Sequence, residues 1–251
     1  MNIQQRLEKL YAKYNNIRYF ADDPVMIPRQ FSRKEDIEIS GFFAALFAWG
    51  NRKTAKAKAM DLMKRMNFKP HHYVTCTKDF RNCNGFAHRT IRSADVVFLL
   101  RGLRQLYAQY GSMEDFFSPV ARSGGIKDAI HSFRNFLLSE KHALYSERHL
   151  SEPYKNSGCK RMNLFLRWMV RHDNVDMGVW QSVDSSALYM PLDVHSGRMS
   201  RSFGLLSRKN DDWNAVEELT QRLRTFDSRD PVKYDIALFG AGFFMAQKKE
   251  Q

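Results

Sequence analysis

Cysteine, proline and glycine are all scarce in this chain. Its 251 residues include 3 cysteines, 7 prolines and 13 glycines. The three thiols, Cys76, Cys83 and Cys159, cannot all pair, which is consistent with a reducing compartment. So little glycine and proline argues against a sandwich or barrel with many tight turns, and for helices. No segment approaches the roughly 18 uninterrupted apolar residues of a membrane span. The first residues, Met1 to Lys9, have no apolar signal-peptide core, so a cytoplasmic protein with no membrane partner is expected. Acid is also in deficit. There are 27 Asp+Glu against 40 Lys+Arg, a net charge of +13. Such an excess favours phosphate-rich or anionic partners, although a basic surface also serves solubility alone.

What the chain does have is apolar periodicity. A hydrophobic share of 43% and this length suffice for a sizeable core, as one large domain or two lobes. Steps of three and four predict helices over 2–14, 32–49 (with Ser32 and Glu35 at capping-box spacing), 54–66 and 93–110. Further helices are expected over 113–117, 126–139, 160–171, 193–203, 213–224 and 232–244. Asp211 and Asp230-Pro231 read as helix starts. Residues 70–89 read as a loop with short helical pieces, and 173–190 as an inserted connection. Cys76 and Cys83 lie near His71 and His72, but the spacing is loose and no second Cys/His pair follows. A surface loop is the better reading than zinc, and no metal is expected. The expectation is an all-α protein of about ten helices, without repeats or β-alternation.

Two stretches carry chemistry. Asn156-Ser157-Gly158-Cys159-Lys160-Arg161 sets a lysine just past a small-residue turn, with Asn163 three residues on. Leu192-Asp193-Val194-His195, continuing through Arg198, Arg201 and Gly204-Leu205, sets an aspartate at a helix start, 33 positions after Lys160. An aspartate there can accept the helix's first N–H groups. His195, Arg198 and Arg201 read as phosphate contacts or as an exposed basic face.

These two stretches resemble the active-site pair of the helix-hairpin-helix DNA glycosylases of the endonuclease III type. Residues 40–66, with Gly50-Asn51 ending a buried helix, resemble the segment that presents a polar residue, commonly glutamine, to DNA. The resemblance covers roughly 40–66 and 156–240. It implies a two-lobed helical bundle with a helix-hairpin-helix element and a cleft between the lobes. Lobe one would span about 30–165, and lobe two 1–29 plus 166–251. It implies Lys160 as nucleophile at the sugar C1′ and Asp193 as stabiliser of the developing charge, or as activator of water. It also implies DNA contacts from Asn51, Arg52, Lys53, Asn156, Ser157, Gly158, Cys159, Arg161, His195 and Arg198.

The chain departs from the family pattern in four ways. Asn156 stands for the hairpin's first glycine, and it tolerates positive φ better than most residues. Ser157 stands for the hairpin's apolar residue. The connection over 173–190 is lengthened. No cysteine follows Cys159, so the family's four-cysteine iron–sulfur cluster is absent on ligand count, and the resemblance is to a bacterial branch lacking it, with no cofactor expected. The implied activity is base-excision glycosylase, with or without abasic-site lyase activity, on double-stranded DNA, by a monomer. The alternatives are a DNA-binding protein that keeps the fold without the chemistry, and a helical interaction protein. Trp49, Phe80, Phe86, Trp168 and Trp180 read as base-stacking candidates or as core.

Overall fold

A computed structural model describes residues 1–247, and side chains through Phe243. Its regular structure is helical, save for one two-stranded hairpin, β1 (Ala87–His88) and β2 (Ile91–Arg92). The α-helices are α1 (Ile3–Tyr14), α2 (Lys34–Phe47), α3 (Arg52–Arg65), α4 (Pro70–Cys76), α5 (Ser93–Tyr110), α6 (Met113–Leu138), α7 (Lys160–Val170), α8 (Val194–Ser202), α9 (Trp213–Arg224) and α10 (Tyr234–Gln247). Among the described residues no helix is long and apolar enough to cross a membrane.

The two helices expected over 113–117 and 126–139 are both present: α6 is two helical segments that meet at a non-helical Gly125 (φ 85°, ψ 177°), the first running on past residue 117. The Ser32–Glu35 capping box does not form. Arg33 is the N-cap residue of α2, and Glu35 pairs with it at 2.6 Å, so the carboxylate is not available to turn back onto Ser32. Asp212 rather than Asp211 caps α9, accepting from Ala215 N.

Two compact units make up the chain, residues 22–152 and residues 1–21 with 153–251. The expected lobe boundary near 165 falls inside α7, so one unit holds both Lys160 and Asp193.

In the unit of residues 22–152, α2 is buried along nearly its whole length, and Phe42, Phe43 and Phe47 are sealed in its core with Phe117 and Phe133. The buried carboxylate of Glu38 accepts from Met113 N (3.0 Å), Glu114 N (3.2 Å) and the Tyr107 hydroxyl (2.8 Å), and so anchors the start of α6.

In the other unit, α10 packs against α1 and α8, and Trp168, Trp180 and Trp213 are fully buried. The connection expected as an insertion over 173–190 is an ordered strap. Met177 N and Gly178 N donate to the Trp168 carbonyl, and Trp180 N to that of Met169. Those bonds satisfy carbonyls at the end of α7 that the helix itself leaves open.

Candidate functional site

In the turn before Lys160, Asn156 takes the positive φ that its place as the hairpin's first glycine called for. Positive φ falls on Asn156 (59°) and Cys159 (45°), not on Gly158. Gly158 is needed for proximity instead, since a Cβ there would lie 2.6 Å from the backbone oxygen of Asp211. The turn is clasped to the segment before α9. Ser157 bridges Asp212, Trp213 N donates to the Asn156 carbonyl (3.3 Å), and Asn156 Nδ2 donates to Asp212 Oδ2 (3.2 Å). Asn163 Nδ2 donates back to the Gly158 carbonyl (3.2 Å), which ties α7 to its own turn. Cys159 is the N-cap residue of α7 and gives no side-chain cap. Ahead of the turn stands one 3₁₀ turn, Pro153–Lys155, where a helix-hairpin-helix would carry its first α-helix.

The same clasp holds α8. Arg201 Nη2 donates to Asp211 Oδ1 (2.6 Å), and Arg201 Nε to the Arg208 carbonyl (2.7 Å). A Cβ on Gly197 would lie 2.9 Å from that same Asp211 Oδ1. Asp211 therefore touches both the lysine-bearing turn and the helix that Asp193 begins. The residues from 208 to 213, which sequence reasoning gave no part in the site, join the two stretches.

Asp193 caps α8 as expected. Its Oδ1 accepts from His195 N and Ser196 N, both at 2.9 Å, and from Ser196 Oγ at 3.1 Å, while Ser196 Oγ accepts from Asp193 N at 3.0 Å. Its Oδ2 has no donor, and the residue no ion pair, among the described residues. The carboxylate is thus fixed by one oxygen at the positive end of a helix, with the other left open.

The remaining expected contacts fare differently. Within residues 22–152, Asn51 caps α3 through Thr54 N (3.0 Å). Arg52 is held by Asp23 through two nitrogens, at 3.1 and 2.9 Å. Lys53 is 77% exposed, with Asp22 at 3.7 Å. In the other unit Cys159 is buried, so its side chain is not offered to solvent. Lys160 and Arg161 are half-buried, and burial lowers the pKa of Arg161. His195 lies edge-on to Phe239 and Phe243, with a buried Nδ1 that has no hydrogen-bond partner among the described residues. Arg198 is exposed and donates to the Gly242 carbonyl (2.9 Å).

Of the aromatic residues, Phe80, Phe86, Trp168 and Trp180 are core. Trp49 is half-buried, with the guanidinium of Arg89 over its ring at 4.3 Å. Cys76 is exposed and Cys83 buried, and among the described residues no cluster of His, Cys, Asp and Glu could hold a metal ion.

Sequence reasoning missed a buried ion network behind the pair. Arg167 and Arg171 follow Lys160 along α7. Arg167 pairs with Asp176 (Nη2 to Oδ1 3.0 Å) and, very closely, with Asp235. Arg171 grips Asp230 with two nitrogens (2.8 and 3.0 Å) and also meets Asp173 and Asp176. Burial pushes the Asp235 carboxyl up to about 7; Arg167 opposes the shift and the charge of Asp193 adds to it. Burial also raises Asp176, in spite of both arginines. The available signal was a pair of arginines four apart, Arg167 and Arg171, set among the apolar residues at the end of α7.

No curated protein and no solved structure matches the chain. A family model described as "protein of unknown function (DUF2400)" matches residues 23–244. That span takes in nearly all of the unit of residues 22–152 and residues 153–244 of the other, with the clasped turn, the Asp193 cap and the Arg167–Asp235 pair, and the chain belongs to the DUF2400 family.

Proposed function

We propose that the protein is a DNA base-excision glycosylase of the helix-hairpin-helix type, with Asp193 and Lys160 as its catalytic residues and double-stranded DNA as its substrate. The observation that carries this reading is the Asp193 carboxylate, held at a helix start by Oδ1 with Oδ2 open. It shares one unit with a lysine at the first residue of α7, and the two stretches are joined through Asp211. The net charge of +13 supports a phosphate-rich partner. The turn at Asn156–Cys159 and the start of α7 suit a backbone phosphate, because a helix N-terminus carries the positive end of the peptide dipoles.

In this reading a damaged or mismatched nucleotide is flipped out of the duplex against the Lys160–Asp193 region. Positive charge develops on the sugar as the C1′–base bond breaks, and Asp193 stabilises it. Lys160 Nζ gives a proton to the departing base and bonds to C1′, a second proton passes from the nitrogen to the ring oxygen as the sugar opens to an iminium, and loss of a 2′ proton expels the 3′ phosphate. If Lys160 only holds phosphate, Asp193 directs water to C1′ and the strand stays whole.

Borohydride trapping on abasic-site duplex DNA tests the lysine. A covalent adduct should form with the native protein and vanish with Lys160→Ala; an adduct that persists in that variant removes Lys160 from the role.

A second reading, duplex binding without base release, draws on the atypical turn, the single 3₁₀ turn before it, and the use of Asn51 and Arg52 within their own unit. It predicts salt-sensitive binding and no release from any lesion. Release that depends on Asp193 would exclude it.

A further inference from the structure

α10 places Asp235, Phe239 and Phe243 four residues apart, on one face. The ring of His195 sits edge-on to both phenylalanines, at centroid distances of 5.8 and 5.4 Å. Arg198, one turn further along α8, donates to the Gly242 carbonyl. The start of α8 is therefore packed along the Asp235 face of α10, and Asp193 stands two residues before His195. On the other side, Arg167 lies two turns after Lys160 on α7 and holds Asp235 directly. Asp235 is thus the buried group that links the helix of Lys160 to the cap of α8.

The charges around it do not balance. Arg167 faces Asp235 and also holds Asp176 of the strap, while Arg171 pairs with Asp173, Asp176 and Asp230. Asp230 lies just ahead of α10, where Lys233 pairs with Glu8 of α1 and Asp227, and the Tyr234 hydroxyl donates to Glu8. Tyr11 of α1 donates to Asp173 and accepts from Arg171. Asp193 and His195 approach from α8. Two guanidiniums answer the carboxyls of Asp173, Asp176, Asp230 and Asp235, so acid is in excess and one carboxyl is free to keep a proton.

Building on the reading of Asp193 given above, we propose that Arg167 and Asp235 are positioning residues of the Lys160–Asp193 site: they hold a second, protonatable carboxyl beside Asp193, and its proton sets the negative charge that faces the sugar. While Asp235 holds its proton, Asp193 acts alone. When Asp235 releases that proton to solvent, a second negative charge stands behind Asp193. Because the sugar becomes cationic as the base leaves, excision accelerates as Asp235 ionises. The interaction is reciprocal, so the charge of Asp193 holds the proton on Asp235.

Carboxyl ¹³C NMR of the full chain, labelled on aspartate, reads this without any reaction. The Asp235 signal, assigned by its absence from Asp235→Asn, should titrate with a midpoint near 7 and move to lower pH in Asp193→Asn. Asparagine preserves the cap, so the variant removes charge and little else. A midpoint in the ordinary carboxylate range, or one unmoved by Asp193→Asn, overturns the proposal. In single-turnover excision the native rate should rise between about pH 6 and about pH 8, the interval that brackets an Asp235 titration near neutrality. Asp235→Asn, shown to be folded by circular dichroism, should lose that rise; a rise that survives also overturns the proposal. If the native protein releases no base from any lesion, the glycosylase reading fails by itself, and the NMR titration still decides the coupling.

Discussion

Replacing Asp235 by asparagine should make the protein's stability less dependent on pH. Burial pushes this carboxyl from 3.8 up to about 7, with Arg167 opposing and Asp193 adding to the shift. Between those two values the folded chain binds a proton there that the unfolded chain does not. The folded state is therefore favoured at low pH and loses that advantage as pH rises towards 7, the direction set by proton linkage. A rise of that size corresponds to about 4 kcal/mol over the whole window, with roughly 2 kcal/mol of it between about pH 5 and about pH 7. An asparagine side chain cannot titrate, so the Asp235→Asn variant lacks this contribution. The difference in unfolding free energy, native minus variant, should fall as pH rises and level off above about pH 8. Urea unfolding of both proteins across that range measures it, and for a chain of this size each kcal/mol moves the thermal midpoint by about 2–4 °C. A difference that stays constant with pH, or grows with it, would refute the burial argument for Asp235.

Gly158→Ala should destabilise by about 1–3 kcal/mol, because its Cβ would lie 2.6 Å from the Asp211 backbone oxygen and the clasp would have to part; an unchanged thermal midpoint would contradict the clasp. Arg52→Ala and Lys53→Ala should separate two roles. Arg52 is held by Asp23, so its loss should lower stability, whereas Lys53 is exposed, and its loss should cost less than about 0.5 kcal/mol and reduce the salt slope of duplex binding by about one.

Helices were legible in the sequence because burial leaves a period. The wide apolar stripe of α5 and the short apolar faces of α1 and α9 each find the core the pattern implies. Boundaries shifted where a local charge competed with a cap, as Arg33 does for Glu35. Asp193 could be read as a cap because capping is local, reaching two and three residues. The clasp could not, since Asp211 touches Gly158 and Gly197 across long stretches of chain. The network was hidden for the same reason. Arg167 and Asp235 stand 68 residues apart, and the proton affinity of Asp235 depends on burial that no spacing reveals. The residues expected at DNA were read from the resemblance, and neither that nor charge distinguishes Arg52, committed to Asp23, from Lys53, which is exposed.

Base release from a panel of duplexes, each carrying one damaged or mismatched base, tests the account most directly. The native protein should free at least one base in single turnover, and Asp193→Asn, with the α8 cap intact, should free none. Release that is equal in the two proteins, or no release by the native protein from any duplex it binds, would contradict the account.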